Sequence, residues 1–252
     1  MSKTTGLGEL FYVGAFDLSG DVGALSTIAA SRGQQDVTAI RDLAHARLGL
    51  LRDGHLAYTA FFDPDTGQEH LALRNLPQSG LVTWASGTVV GAACASLVAN
   101  HTDYPLVRGA DGSLVASPTA DANGYGMQWG VLLTAGGQTF ASAAAGSYVD
   151  DYFPSFGGAS APPTLFGLAA YLHVLSIGSG SATVHVQDSS DHVSFADVTG
   201  AVFSAASGAT SQRVATSATQ AVNRYLRLNV TGTFVNLTAV VSVVRYINQF
   251  VA

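Results

Sequence analysis

Residues 225–243 read YLRLNVTGTFVNLTAVVSV, and their period decides the fold class. Leu226, Leu228 and Val230 fall on one face of an extended chain, with Tyr225, Arg227 and Asn229 on the other. Past Gly232, Val235, Leu237, Ala239, Val241 and Val243 line an apolar face. Successive side chains of a strand point to opposite faces, so a period of two is the pattern of a half-buried strand. Thr231-Gly232-Thr233 then reads as the turn of a β-hairpin. Working outward, residues 166–177, 182–187 and 195–203 supply further strands, and Asp188-Ser189-Ser190-Asp191 a polar turn. About 100 residues of short strands without a helical period predict a β-sandwich of the jelly-roll or immunoglobulin-like kind.

Upstream, residues 141–163 (ASAAAGSYVDDYFPSFGGASAPP) are rich in Ala, Gly, Ser and Pro and interrupt the strand patterns. They mark a seam between two expected domains, 1–143 and 144–252. In the first, an Asp53-Gly54 turn leads into a strand where Leu56, Tyr58, Ala60 and Phe62 alternate with Ala57, Thr59 and Phe61. Ahead of it, Ile40, Leu43, Ala44 and Leu48 fall at helical spacing, with Thr38 as N-cap and Gly49 as stop. A second short helix is predicted over 68–76, before Pro77. Residues 96–104 and 113–120 bracket an Asp-Gly turn at 108–112 and predict a long hairpin. The first domain is thus mostly antiparallel sheet with one or two short helices, and the whole chain is mainly β.

Composition narrows the function classes. Charged residues make up 11% of the 252, against about 25% in average soluble domains. The net charge is −6, and Lys/Arg are scattered singly, so no basic stripe exists to grip phosphates. A lone Cys94 excludes an intrachain disulfide and any multi-cysteine metal site. The first ten residues, MSKTTGLGEL, show no secretory signal, so folding in a cytoplasm is expected. Residues 80–99 carry no charge and match the length of a membrane span, about 20 residues. Their glycines, Thr and Ser, and the absence of a basic flank, favour two strands around a Gly-Thr turn, and no membrane insertion is expected.

No catalytic constellation can be assembled, and no enzyme, cofactor or metal is expected. No Walker loop, zincin motif or nucleophile elbow is present. Gly124, Gly126 and Gly130 have the wrong final spacing for a dinucleotide loop and read as sites of close backbone approach or of a bend. His185, Asp188, Asp191 and His192 would hold a metal only if their turn folded back; a solvated turn is the plainer reading. Asp150 and Asp151 are adjacent, so an extended backbone separates them. Cys94 sits in Ala92-Ala-Cys-Ala-Ser96, the setting of a small buried hydrophobe. Asn100, Asn229 and Asn236 begin Asn-X-Thr sequons that have no use without secretion. Tyr148, Tyr152 and Phe153 are candidates for a sugar-binding platform.

The order of elements resembles one family. Asp36-Val-Thr-Ala-Ile40, a short helix, Gly49-Leu-Leu-Arg-Asp-Gly54, the strand to Phe62, and His70-Leu-Ala-Leu-Arg-Asn-Leu-Pro77 look like the core of tailed-phage major tail (tail tube) proteins. Residues 108–114 and 123–130 are similar to the hairpin and closing strand of tails from actinobacterial siphophages. Phe166–Tyr171, Gln187–Asp191, Phe195–Gly200 and Arg224–Phe234 resemble the C-terminal sandwich of the same proteins. His55 departs from the pattern, since an acidic residue usually follows Asp-Gly.

The resemblance implies a tail-tube-like β-barrel or sandwich over 1–143, assembling into hexameric rings that stack into a conduit for the genome. Its partners would be copies of itself, the tape measure and tail terminator proteins, and DNA in transit. Residues 144–252 would form a decoration domain projecting outward, in reach of host-surface glycans. The protein would sit in the virion tail after assembly in the host cytoplasm. Residues 1–143 hold 7 basic and 12 acidic groups and residues 144–252 hold 4 and 5, so the acidity lies in the half expected to form the tube. The rival expectation is a capsid- or tail-decorating carbohydrate-binding protein.

Overall fold

Alternating apolar residues govern the fold of residues 7–151 and 162–247, the ones that a computed structural model describes, and these described residues are 58% strand and 2% helix. In chain order the strands are β1 (Leu10–Val13), β2 (Phe16–Asp17), β3 (Val22–Asp36), β4 (Arg47–Phe61), β5 (Gly80–Ala85), β6 (Ala93–Asp103), β7 (Leu106–Arg108), β8 (Leu114–Ala116) and β9 (Thr119–Ala122). They continue as β10 (Gln128–Leu132), β11 (Gln138–Phe140), β12 (Ala144–Ala145), β13 (Val149–Asp150), β14 (Leu168–Ser189), β15 (Ala196–Val202), β16 (Thr210–Ala215) and β17 (Tyr225–Arg245). Among the described residues the one α-helix, α1 (Glu69–Leu73), falls inside the predicted segment 68–76. Residues 80–99 form β5 and the start of β6, and among the described residues no helix is long and apolar enough to cross a membrane.

Packing divides the chain into two units whose borders differ from the 143/144 seam. One comprises the described residues of 1–19, 81–96 and 129–252, the other 20–80 and 97–128. Residues 129–150 join the former because β10, β11, β12 and β13 pair in turn with β17, from Val131↔Val243 to Asp150↔Tyr225.

The first unit is built on β14 and β17, paired antiparallel from Leu168↔Arg245 to Ser189↔Tyr225. The opposite edge of β14 carries β16 (Ala169↔Ala215 to Val174↔Thr210) and then β15 (His185↔Val202 to Asp188↔Ala196). The predicted hairpin turn at Gly232 does not occur: Gly232 lies inside the continuous strand β17, opposite Ala182. Its φ of 109°, the φ of 83° at Gly180, the φ of 53° at Asn236 and a bulge between Val174 and Ser176 kink the ribbon instead. A side chain on Gly180 or Gly232 would collide with the facing backbone at Thr233 or Ser181. On either side of the kink, Leu168, Leu172, Val184, Val186, Leu226, Leu228, Leu237 and Val241 bury one face in a single core that includes Leu133, Phe140, Val198 and Phe203.

The second unit is an open antiparallel sheet. β3 pairs with β4, β4 with β8 and β9, and β9 with the later part of β6. Of the expected barrel or sandwich, no closed barrel forms. Leu56, Tyr58 and Ala60 of β4 alternate into a core with Leu73, Leu97, Ala116 and Ala120. The expected Asp-Gly turn at 108–112 joins β7 to β8, with Gly112 at φ 92°. Asp53-Gly54, by contrast, makes no turn, because Gly54 pairs with Ala30 in mid-strand. A Cβ there would sit 2.6 Å from the Met127 Cβ, so this glycine admits a close neighbour.

Candidate functional site

The helix predicted over 40–48 is absent, and β3 and β4 form one long hairpin arm in its place. Pairing continues through Ser31↔Asp53 and Arg32↔Arg52 to Asp36↔Arg47, and the Val37 N–H donates to the Ala46 carbonyl at 2.8 Å. Residues 31–53 lie beyond the core and are exposed, apart from a half-buried Ala46. Helical spacing failed because Ile40 and Leu43 have nothing to pack against, and the strand ladder satisfied the backbone instead.

Short polar residues fix the tip. The Asp36 carboxylate accepts the Thr38 N–H at 2.9 Å, the Thr38 hydroxyl, and the His45 Nδ1–H at 3.0 Å. The Ala46 N–H donates to Thr38 Oγ1, and the Ala39 N–H to Asp42 Oδ2 at 2.7 Å. The hydrogen bonds from Thr38, with His45 beside it, hold the Asp36 carboxyl below its ordinary range. Ile40 and Leu43 project from this loop fully exposed, at 108% and 105%, and Val37, Leu48, Leu50 and Leu51 are also exposed. On the arm an open concavity of about 800 Å³ is lined by Gly33, Gly49, Leu50, Leu51, Arg52 and Asp53. The one sequence cue to this loop is Asp36-X-Thr38, an Asx-type signal that starts loops as readily as helices.

A second exposed cluster lies in the other unit. Tyr148, 47% exposed, stacks on His192 with ring centroids 5.6 Å apart, and Tyr225 meets both rings edge-on. Phe195 lies beside Tyr148, with the Arg227 guanidinium 4.0 Å from its ring centroid. His192 adopts a φ of 56°, held where the Asp191 carboxylate accepts the Val193 and Ser194 N–H groups. Tyr152 and Phe153 lie outside the described residues.

The remaining candidates are structural. Asp191 caps its own turn, Asp188 accepts the Asn223 N–H at 2.6 Å, and His185 pairs with Asp197 at 2.9 Å. Among the described residues no group of three His, Cys, Asp or Glu could hold a metal. Asp150 binds Arg224 through two bonds of 2.7 Å, whereas Asp151 binds Arg245. Burial pushes the Cys94 thiol up to about 12, leaving it inert. Asn100 serves Ser79 and Asn123, and His55 pairs with Asp121 at 2.7 Å. Gly126 and Gly130 stand hard against Arg52 and Val243, as close approach requires, whereas Gly124 has open space around it and a φ of 79° that turns the chain.

No family model matches the chain, and no curated protein matches it either. Among solved structures, it is similar to the crystal structure of Dit (gp 19.1) of SPP1, described as a paradigm of the hub adsorption apparatus in phages that infect Gram-positive hosts. Identity is 11% and the TM-score 0.33, with 94% of this chain and 99% of that one covered. At that score the likeness decides neither fold nor function.

Proposed function

We infer that the chain is a structural subunit of a phage tail, the major tail tube protein, whose activity is self-association into stacked, hexameric rings that conduct the genome. One observation carries this reading: an ordered arm, residues 31–53, that leaves six large apolar side chains in solvent. An isolated two-stranded hairpin is marginal in water, and exposed apolar surface of this kind marks a protein contact. The open sheet of the same unit offers edges that neighbouring subunits can complete. The unit outside the arm carries seven acidic residues against two basic ones, a balance suited to letting DNA slide past rather than stick. Tape measure and terminator proteins are the further partners, the reading is non-enzymatic, and the place is the virion tail after cytoplasmic assembly. Negative-stain microscopy of purified protein, alone and with its tail-assembly partners, should show rings or tubes that deletion of residues 38–45 abolishes. Monomers under both conditions would sink the reading.

The Tyr148 cluster favours a second reading, a decoration protein that binds glycans of the host surface. Exposed rings offer a face for sugar C–H groups, and the Asp150–Arg224 pair beside them offers acceptors and donors for hydroxyls. Glycan-array binding should be present in the native protein and lost in Tyr148→Ala; an array without signal removes this reading.

A further inference from the structure

We propose that Arg227 is an anion-binding residue beside the Tyr148 cluster, so that the sugar taken there carries an acid group, a carboxylate or a phosphate. The inference rests on the glycan reading of that cluster and names the class of glycan. Three arginines lie along β17 and just before it, and two are neutralised: Arg224 by Asp150 and Arg245 by Asp151, each at 2.7 Å. Arg227 differs. Its Nε–H donates at 2.9 Å to Gln187 Oε1, a neutral amide, and among the described residues its two Nη groups have no hydrogen-bond partner. A half-buried guanidinium with four N–H groups open matches an incoming carboxylate or phosphate, which accepts two parallel bonds from such a fork.

The fork is already aimed. The guanidinium lies 4.0 Å from the Phe195 ring centroid, and Gln187, 9% exposed, stands opposite Arg227 in the β14–β17 pairing. Gln187 is itself fixed, because its Nε2–H donates to Asp197 Oδ1 at 2.8 Å while the His185 Nδ1–H donates to Asp197 Oδ2 at 2.9 Å. Binding therefore costs little ordering entropy. The nearby carboxylates are engaged elsewhere, Asp150 with Arg224 and Asp197 with Gln187 and His185, and neither bonds to the fork. Phe195 also joins Arg227 to the rings, with its centroid 6.2 Å from that of Tyr148, which is 5.6 Å from Tyr225. Tyr225, Arg227 and Asn229 share one face of β17 in steps of about 7 Å. The half-buried Asn229 amide likewise has no side-chain partner among the described residues. One face thus offers an aromatic ring for sugar C–H groups, a planar cation for an acid group and an amide for a hydroxyl.

The test is a glycan array in which each neutral oligosaccharide stands beside two anionic forms of itself, its primary alcohols oxidised to carboxylates or phosphorylated. Calorimetric titration of the tightest-binding set follows. The native protein should bind one anionic form at least about tenfold more tightly than the neutral parent, the gain of a charge-assisted pair, and the form that wins identifies the anion. Arg227→Gln should abolish that preference, whereas Tyr148→Ala should weaken all three forms. A native protein that binds the neutral form as tightly as both anionic ones, or a preference that survives in Arg227→Gln, overturns the assignment and leaves the glycan reading standing. An array without signal overturns both. Should Arg227→Gln fail by circular dichroism to fold, Arg227→Lys serves instead. It keeps the charge and an aliphatic stem but not the planar fork, so most of the preference should go, and an unchanged preference overturns the assignment.

Discussion

Arg245→Met is expected to destabilise its unit by about 3–5 kcal/mol, the cost of breaking a buried ion pair. The side chain is 4% exposed and the five N–H groups of its guanidinium are all engaged. Nε–H donates to Asp151 Oδ2 at 2.7 Å, and Nη1 to Thr164 Oγ1 and to the Val222 carbonyl at 2.8 Å. Nη2 donates to the carbonyls of Asn223 and Arg224 at 2.6 and 3.2 Å. One side chain thus ties the end of β17 to residues 151, 164 and 222–224. Methionine fills similar space but leaves the Asp151 carboxylate and these carbonyls short of donors, and a lysine cannot reproduce the planar fork. Arg224→Met is the control: its partner Asp150 is 43% exposed, so that ion pair contributes about 1 kcal/mol or less.

The loss carries a pH signature. Burial already pushes the Asp151 carboxyl up, against the pull of Arg245. Without the guanidinium it rises further, and a raised carboxyl costs stability as pH climbs through its folded value. Arg245→Met should therefore be less damaging at pH 4 than at pH 7, and adding Asp151→Asn should recover part of the loss at pH 7. Urea denaturation at the two pH values measures both. Equal effects of Arg245→Met and Arg224→Met would refute the argument.

The strand periods were readable because burial imposes them locally. Leu226, Leu228 and Val230 alternate on the sequence as they do against the core. Glycine was not readable in the same way, since it serves a turn and a close approach with one symbol. Gly54 was decided by Met127 and Leu97, far along the chain, and Gly232 by the backbone of Ser181. The apolar residues of 40–48 misled for another reason. A helical spacing predicts a helix only where a surface exists to receive the stripe, and Ile40 and Leu43 meet none within their own chain. The candidate arm was therefore hidden by a pattern that is real but points outward. Arg245 and His173 drew no attention because their partners, Asp151, Thr164, Gly14 and Thr83, are all remote in sequence.

Acid should weaken the protein well before ordinary carboxylates titrate, through two buried histidines. His173 is completely buried, with Nδ1–H donating to the Gly14 carbonyl at 2.7 Å and Nε2 accepting the Thr83 hydroxyl at 2.8 Å. Thr83 in turn accepts from Ser96, and Ser96 from Ser242, so the neutral imidazole heads a chain of satisfied hydroxyls. Burial lowers its pKa from 6.5 to about 4, against the opposing pulls of the Gly14 carbonyl hydrogen bond and of Asp17. His101, buried against the Tyr58 hydroxyl in the other unit, is lowered to about 4 by the same cause.

The sign follows from which state binds the proton. Below pH 6.5 the unfolded chain takes it up and the native fold does not, so stability is complete above 6.5 and drains as pH falls toward 4. Each histidine then costs its unit about 3 kcal/mol by pH 4. The two tryptophans, Trp84 and Trp129, pack against each other in the unit that holds His173, so their fluorescence reports its unfolding. Measured by urea titration between pH 7 and 4, His173→Gln should flatten the fall by about one proton's slope, because the amide supplies a donor and an acceptor that do not ionise. Taking the difference from the parent at each pH cancels the carboxylates, of which Asp151 pulls the opposite way. A glutamine variant with the parent's slope would show that His173 takes up its proton in the native state as readily as in the unfolded chain.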